Sequence, residues 1–215
     1  MNRSVNQPTM SASEALARLR EGNRRFVSNV RSLDSLLSQS QSNRHELEKQ
    51  QNPCAIVLGC SDSRAPAEIV FDQGLGDLFV IRVAGNIVAP SQVGSVEFAA
   101  AKFGTRLVVV MGHTSCGAIQ ATLDTLDGGG DPSSKNLRSI VDRVRPAIAP
   151  LMSTSLAKDR PALIREATRA NVRVAADHLR HGSQILEQFI QEDGLLVVGA
   201  EYNLGTGEVE FFDGV

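Results

Sequence analysis

At 215 residues with 42% apolar side chains, the chain can bury a full-sized core and is expected to form one domain over 1–215. Its formal charge of −2 gives no electrostatic case for binding nucleic acid or an anionic membrane. No apolar run reaches the ~20 residues of a membrane span, and Met1-Asn2-Arg3-Ser4-Val5-Asn6-Gln7 has no apolar signal core.

Residues 1 to about 8 carry no pattern and are expected to be unstructured. Ser11 with Glu14 reads as a capping box that opens a helix carrying Leu16 and Leu19. From 31 to 43 the chain is rich in Ser, Gln and Leu, which fits either a flexible connection or a short helix. Leu33, Leu36 and Leu37 argue that it covers something apolar. His45-Glu46-Leu47-Glu48-Lys49 reads as a helical turn with His45 as a solvated bystander. Residues 11 to about 50 thus make an N-terminal helical arm.

Pro53 precedes a first strand over 54–59, with the run Ala55-Ile56-Val57-Leu58. A helix is predicted from Ala65-Pro66 to about Phe71, then a strand over 78–83. Gly74-Leu75-Gly76 is a plain turn, since Phe79 stands where a dinucleotide fingerprint needs its third glycine. Ser91 can cap a helix from Gln92 to Phe103 that Gly104 ends. Strand three covers 106–111, and Ser115 to Leu126 is the next helix. Asp127 to Pro132 is a loop.

Leu137, Ile140, Val141 and Val144 recur at helical spacing until Pro146 and Pro150 end the helix. Pro161 opens a long helix that ends at His181-Gly182, with the glycine as a left-handed cap. Its His178 and His181 are read as solvated. Ser183 caps a last helix to Ile190. Strand four is 195–201 and an edge strand 208–212. Helices between the first four strands imply right-handed crossovers. The predicted fold is α/β, with a mostly parallel four-stranded central sheet, an additional edge strand and flanking helices.

Two segments, Gly59-Cys60-Ser61-Asp62-Ser63-Arg64 and Gly112-His113-Thr114-Ser115-Cys116-Gly117, stand where a strand hands over to a helix. In an open parallel sheet that edge binds ligands. Cys60, His113 and Cys116 are a plausible zinc set, because three thiolate or imidazole ligands leave a fourth corner for water or substrate. His113 and Cys116 are three apart, so one turn can aim both at one point. Cys60 joins them only if its strand neighbours theirs. The competing reading is that the cysteines are inert buried thiols, which is also the reading for Cys54. An odd cysteine count and no signal core fit a reducing cytoplasm.

Cys60-Ser61-Asp62-Ser63-Arg64, Glu68, Phe79-Val80-Ile81-Arg82, Ala84-Gly85-Asn86 and His113-Thr114-Ser115-Cys116-Gly117 together resemble the bacterial β-class carbonic anhydrases. The likeness runs from about Glu21-Gly22-Asn23-Arg24-Arg25-Phe26 to Tyr202. It implies a zinc enzyme, one Zn²⁺ per chain, that interconverts carbon dioxide and bicarbonate through a zinc-bound hydroxide. It implies that Asp62, held by Arg64 through two parallel hydrogen bonds, orients that hydroxide. The plainer alternative is that Asp62 or Ser63 only caps a helix. Some members close the zinc with the aspartate at low pH, so Asp62 is also a possible fourth ligand in an inactive form. Their regulatory bicarbonate pocket is matched by Arg82 and Tyr202. Its tryptophan is replaced by Val57, and the chain has no Trp.

Gln51, nine positions before Cys60, matches the substrate-pocket glutamine of the other subclass. Phe79, Phe98 and Gly117 complete that pocket. In the family the glutamine and the aromatic residues reach the metal across a subunit interface, on which the N-terminal helix also packs. A homodimer or homotetramer follows. A carbonyl sulfide or carbon disulfide hydrolase would share the metal motifs. A non-catalytic zinc or redox-sensing protein is the reading from another class.

Overall fold

Five strands form one sheet in the computed structural model, which describes residues 10–37, 44–45, 47–130 and 132–215. They are β1 (Ala55–Gly59), β2 (Leu78–Arg82), β3 (Leu107–His113), β4 (Leu196–Tyr202) and β5 (Val209–Asp213), in the order β2-β1-β3-β4-β5. The first four run parallel and β5 is antiparallel to β4. This is the predicted sheet. β1 and β3 lie at its centre and are buried at every position. Strands covered on both faces need no polar alternation, so both read as unbroken apolar runs.

Register decides what meets at the carboxyl edge. Gly59 pairs with Met111 on one side and with Arg82 on the other. The residue after β1 and the last residues of β3 therefore emerge side by side. One sheet face packs on α1 (Ala12–Val27) through Leu16, Leu19, Val57, Phe71 and Val109. The other packs on α4 (Pro90–Phe103), α7 (Arg160–His181) and α8 (Gln184–Glu192), through residues such as Ile56, Val110, Val172 and Leu186. A third apolar cluster holds Cys60, Ile87 and Cys116 beside α5 (Gly117–Leu126) and α6 (Lys135–Ile148).

The Ser11–Glu14 capping box forms as expected. Two residues further along α1 tie it down. A Cβ on Gly22 would lie 1.8 Å from the Phe71 carbonyl oxygen, so only glycine lets the helix come this close. Asn23 donates to the carbonyls of Val70 (3.1 Å) and Gly207 (2.9 Å) and accepts from the Val209 N–H (2.9 Å).

Several boundaries differ from the sequence expectations. β3 continues to His113, so that histidine ends a strand. α3 (Ala67–Val70) is a single turn with Pro66 at its N-cap. α4 begins at Pro90 behind Ala89, because the fixed φ of proline suits a first turn whose N–H groups have no partners. Ser91 is inside it, and its hydroxyl bonds Gln92. Pro146 lies within α6 and Pro150 in the following turn, Ala149–Ser153. Losing one internal N–H is tolerated there because Val144, Ala147 and Ile148 bury the last turn. Gly182 has φ −105° and is not a left-handed cap. It is needed for space, since a Cβ would lie 2.5 Å from the His178 carbonyl oxygen.

The Ser/Gln/Leu stretch contains a short helix, α2 (Leu33–Leu37). Leu33, Leu36 and Leu37 are exposed at 68%, 54% and 56%, so among the described residues they are not buried against an apolar partner. The expectations for residues 1–8, 38–43, Glu46 and Asp131 lie outside the described residues.

Candidate metal centre

Each of the three proposed ligands is placed by a different local device. Cys60 follows the last residue of β1. His113 is the last residue of β3, and Cys116 is the N-cap of α5. Between them Ser115 takes φ +57°, a left-handed turn that L-residues adopt at some cost. That turn folds the helix start back toward the strand end. All three side chains are buried, and their ligand atoms lie within 4.8 Å of one another.

The imidazole is oriented from behind. His113 Nδ1 donates to the Thr114 carbonyl at 2.9 Å, which assigns the tautomer and leaves a lone pair on Nε2. Thr114 is itself fixed to the end of β4. Its N–H donates to the Tyr202 carbonyl (3.0 Å) and its hydroxyl accepts from the Leu204 N–H (3.0 Å). His113 Nε2 is buried with no hydrogen-bond partner among the described residues. Such an atom costs about 1–3 kcal/mol unless something fills the place opposite it.

The thiols behave as a pair. The neighbouring Cys116 thiol, with the nearby His113 imidazole and the Gly85 N–H, pulls the Cys60 thiol well below its ordinary value despite burial. Cys116 is pushed up by its bond to Cys60 and by burial. Two sulfurs and one free imidazole nitrogen around one point suit a soft or borderline divalent cation such as zinc. Cys54 is a third buried free thiol, pushed up by burial, and it packs with Leu78 and Phe71 in the core under α1.

Asp62 lies beside this trio. Arg64 donates from Nε to Oδ1 (2.9 Å) and from Nη2 to Oδ2 (2.8 Å), and its backbone N–H adds a third bond at 2.9 Å. These bonds, the side-chain ones first, hold the Asp62 carboxyl far below the usual carboxylate range. Its Oδ2 is 3.8 Å from His113 Nε2.

Arg82 shows a contact that the sequence did not disclose. Its Nε donates to the Cys60 carbonyl (3.0 Å) and its Nη2 to the Asp62 carbonyl (2.6 Å). One guanidinium thus grips the loop on both sides of Ser61. The signal was the level register of Gly59 and Arg82, which cannot be read before strand pairing is known.

Of the remaining residues, Gly117 directly follows Cys116 and Tyr202 pairs with His113, whereas Phe79 lies toward the other end of the sheet, level with Ile56. Phe79 and Phe98 form an aromatic cluster with Phe103, with ring centroids 5.7–6.2 Å apart; Phe79 and Phe103 pack in the layer of Val88 and Val96, while Phe98 is exposed. Gln51 is exposed ahead of β1. Tyr202 is buried and pairs in register with His113. Gly117 opens α5, and a Cβ there would meet nothing within 4 Å. His45, His178 and His181 are exposed.

A parallel sheet that brings two thiols and an imidazole together at its carboxyl edge defines a protein built around a Cys₂His centre. A family model described as carbonic anhydrase matches residues 55–209. The chain is similar to a carbonic anhydrase of Mycolicibacterium smegmatis, 38% identical over 94% of both chains. It is similar to carbonic anhydrase 2 of Mycobacterium tuberculosis, 35% identical over 96% of this chain and 95% of that one. Among solved structures it is similar to the β-carbonic anhydrase CafA of Aspergillus fumigatus, with a TM-score of 0.73 and 26% identity over 94% and 91% of the two chains. The chain belongs to the β-class carbonic anhydrases.

Proposed function

We propose that the chain hydrates carbon dioxide reversibly to bicarbonate and a proton, with Cys60, His113 and Cys116 holding one Zn²⁺. The observation that carries this is the buried, unpartnered His113 Nε2 facing two sulfurs beside an ionised carboxylate. When bound, zinc supplies a nucleophile at neutral pH by lowering the pKa of water toward ~7. The chain's own residues do the rest. Arg64 keeps Asp62 ionised and fixes its plane, so Asp62 can only accept a hydrogen bond. With the metal bound, Asp62 would accept a hydrogen bond from the nucleophilic water or hydroxide and so orient it toward carbon dioxide. Thr114 keeps the His113 ring from rotating, and Arg82 holds the Cys60–Asp62 backbone in place.

Gln51, Phe79, Phe98 and Gly117 are proposed to line the substrate pocket across a subunit interface. The 53% exposure of Phe98, a large apolar ring, supports this, as do the exposed Val30, Leu33, Leu36 and Leu37. The assembly is therefore proposed to be a homodimer or larger, with residues 11–50 as an arm of a single domain over 1–215. Bicarbonate regulation through Arg82 and Tyr202 would require an anion to displace the Cys60 and Asp62 carbonyls from Arg82. A reducing cytoplasm is the proposed compartment, because all three thiols are free.

The test is stopped-flow hydration of carbon dioxide between pH 7 and 9, with zinc measured on the same sample and carbonyl sulfide as competing substrate. Hydration with one zinc per chain is expected, and Cys60→Ser should lose metal and activity together. A zinc-loaded protein without hydration activity would sink the assignment.

A further inference from the structure

One buried polar side chain outside the motifs is joined to the metal centre through the backbone. Asn171 lies on α7 in the buried face that holds Ala167, Thr168, Val172 and Ala175. It is 3% exposed, so its amide must find partners inside the protein. Its Nδ2 donates to the Gly85 carbonyl at 2.8 Å, a buried bond between positions 86 apart in the chain. Gly85 in turn donates its N–H to Cys60 Sγ at 3.3 Å, also buried.

Gly85 has little freedom between these two bonds. It belongs to the turn Ala84–Asn86 that follows β2, with φ +69°. A Cβ there would come 2.9 Å from the Cβ of Ala118, in the first turn of α5. So α5 blocks Gly85 on one side and Asn171 pins it on the other. Without the Asn171 amide, the Gly85 carbonyl would lose its buried donor and the turn could rotate.

We propose that Asn171 is a positioning residue: it fixes Gly85 so that the Gly85 N–H points at the Cys60 sulfur, and thereby sets how that sulfur binds a metal. An N–H aimed at a thiolate fixes the direction of its remaining lone pairs and draws off electron density. Partners of this kind behind a metal ligand tune affinity although they never touch the ion. The inference rests on the reading of Cys60 as a metal ligand.

The test uses the full chain loaded with cobalt(II) or zinc. Asn171→Leu removes the donor at similar volume. Thr168→Val alters the same helix face, where the Thr168 hydroxyl bonds only the Ile164 carbonyl of its own helix at 2.9 Å. Asn171→Leu is expected to weaken zinc in chelator competition about 10- to 100-fold. It should also move the sulfur-to-cobalt charge-transfer band to longer wavelength. Thr168→Val should leave both as in the unmodified chain. A folded Asn171→Leu protein with unchanged affinity and band would overturn the proposal, and so would an equal shift in Thr168→Val.

A second measurement covers a variant that fails to fold. In the unmodified chain loaded with an NMR-active cadmium isotope, scalar coupling between cadmium and the Gly85 amide proton is expected across the N–H···S bond. Its absence overturns the proposal. An unmodified chain that takes up neither cobalt nor cadmium removes the Cys60 assignment itself, which is a distinguishable failure.

Discussion

Asp62 has both carboxylate oxygens engaged by one guanidinium, yet one of them stays within 3.8 Å of the imidazole nitrogen that awaits a metal. Asp62→Asn replaces one acceptor by a donor and breaks the bidentate pairing. Zinc content should remain one per chain, while turnover in stopped-flow hydration falls about 10- to 100-fold. Full turnover in that variant would remove the role given to the carboxylate. The gathering of Cys60, His113 and Cys116 and the Asp62–Arg64 pair were legible in the sequence, because each residue falls within a few positions of an apolar strand run. The grips of Arg82 on Cys60 and of Asn171 on Gly85 were not. They end on backbone carbonyls, which leave no trace in residue type, and they join positions 22 and 86 apart.

Helix α1 is held by contacts of unusually short reach. Gly22→Ala would set a methyl group against the Phe71 carbonyl, and neither backbone can yield without moving the element. We expect a loss of about 3 kcal/mol or more, at the upper end for overpacking, read as a lower urea midpoint with the fold retained. Asp72 supplies a second tie, accepting from Arg25 Nε (2.6 Å), Arg31 Nε (3.0 Å) and the Ser32 N–H (2.9 Å). Burial pushes its carboxyl up, but these donors outweigh burial and hold it below its ordinary value. A carboxyl depressed on folding stabilises at neutral pH, and that stability is lost as pH falls through the folded value, below about 3.9. Asp72→Asn should therefore lose stability at neutral pH and show a flatter acid limb in pH-dependent unfolding. An acid limb as steep as that of the unmodified chain would count against this. Element types were legible here from apolar period and caps. The start of α4 and the end of α6 were not: Pro90 took the first helical position ahead of Ser91, and burial of Val144, Ala147 and Ile148 carried α6 past Pro146.

For the molecule as a whole, the centre cross-links the ends of two central strands and the start of α5. A cation bound only by the folded chain must stabilise it. Free zinc at about 1,000 times its dissociation constant adds about 4 kcal/mol, roughly 8–16 °C in Tm for a chain of this size. Chelation should lower the melting temperature by that order, and zinc should restore it. A melting temperature indifferent to chelator would mean that the metal does not bridge these elements. The sheet was legible as a whole because helices alternate with apolar runs, which leaves parallel crossovers as the economical path. How α1 closes was not legible, since Asn23 waits for Gly207 and for Val209, which stands 186 positions later. That contact has a consequence in time. At about 5–20 residues per second of synthesis, the first helix leaves the ribosome roughly 10–40 s before the strand that seals it exists. Through that interval the helix has only its earlier partners, Val70 and Asp72 among them, and any messenger cut short before the final hairpin yields a product whose opening segment lacks its last tie.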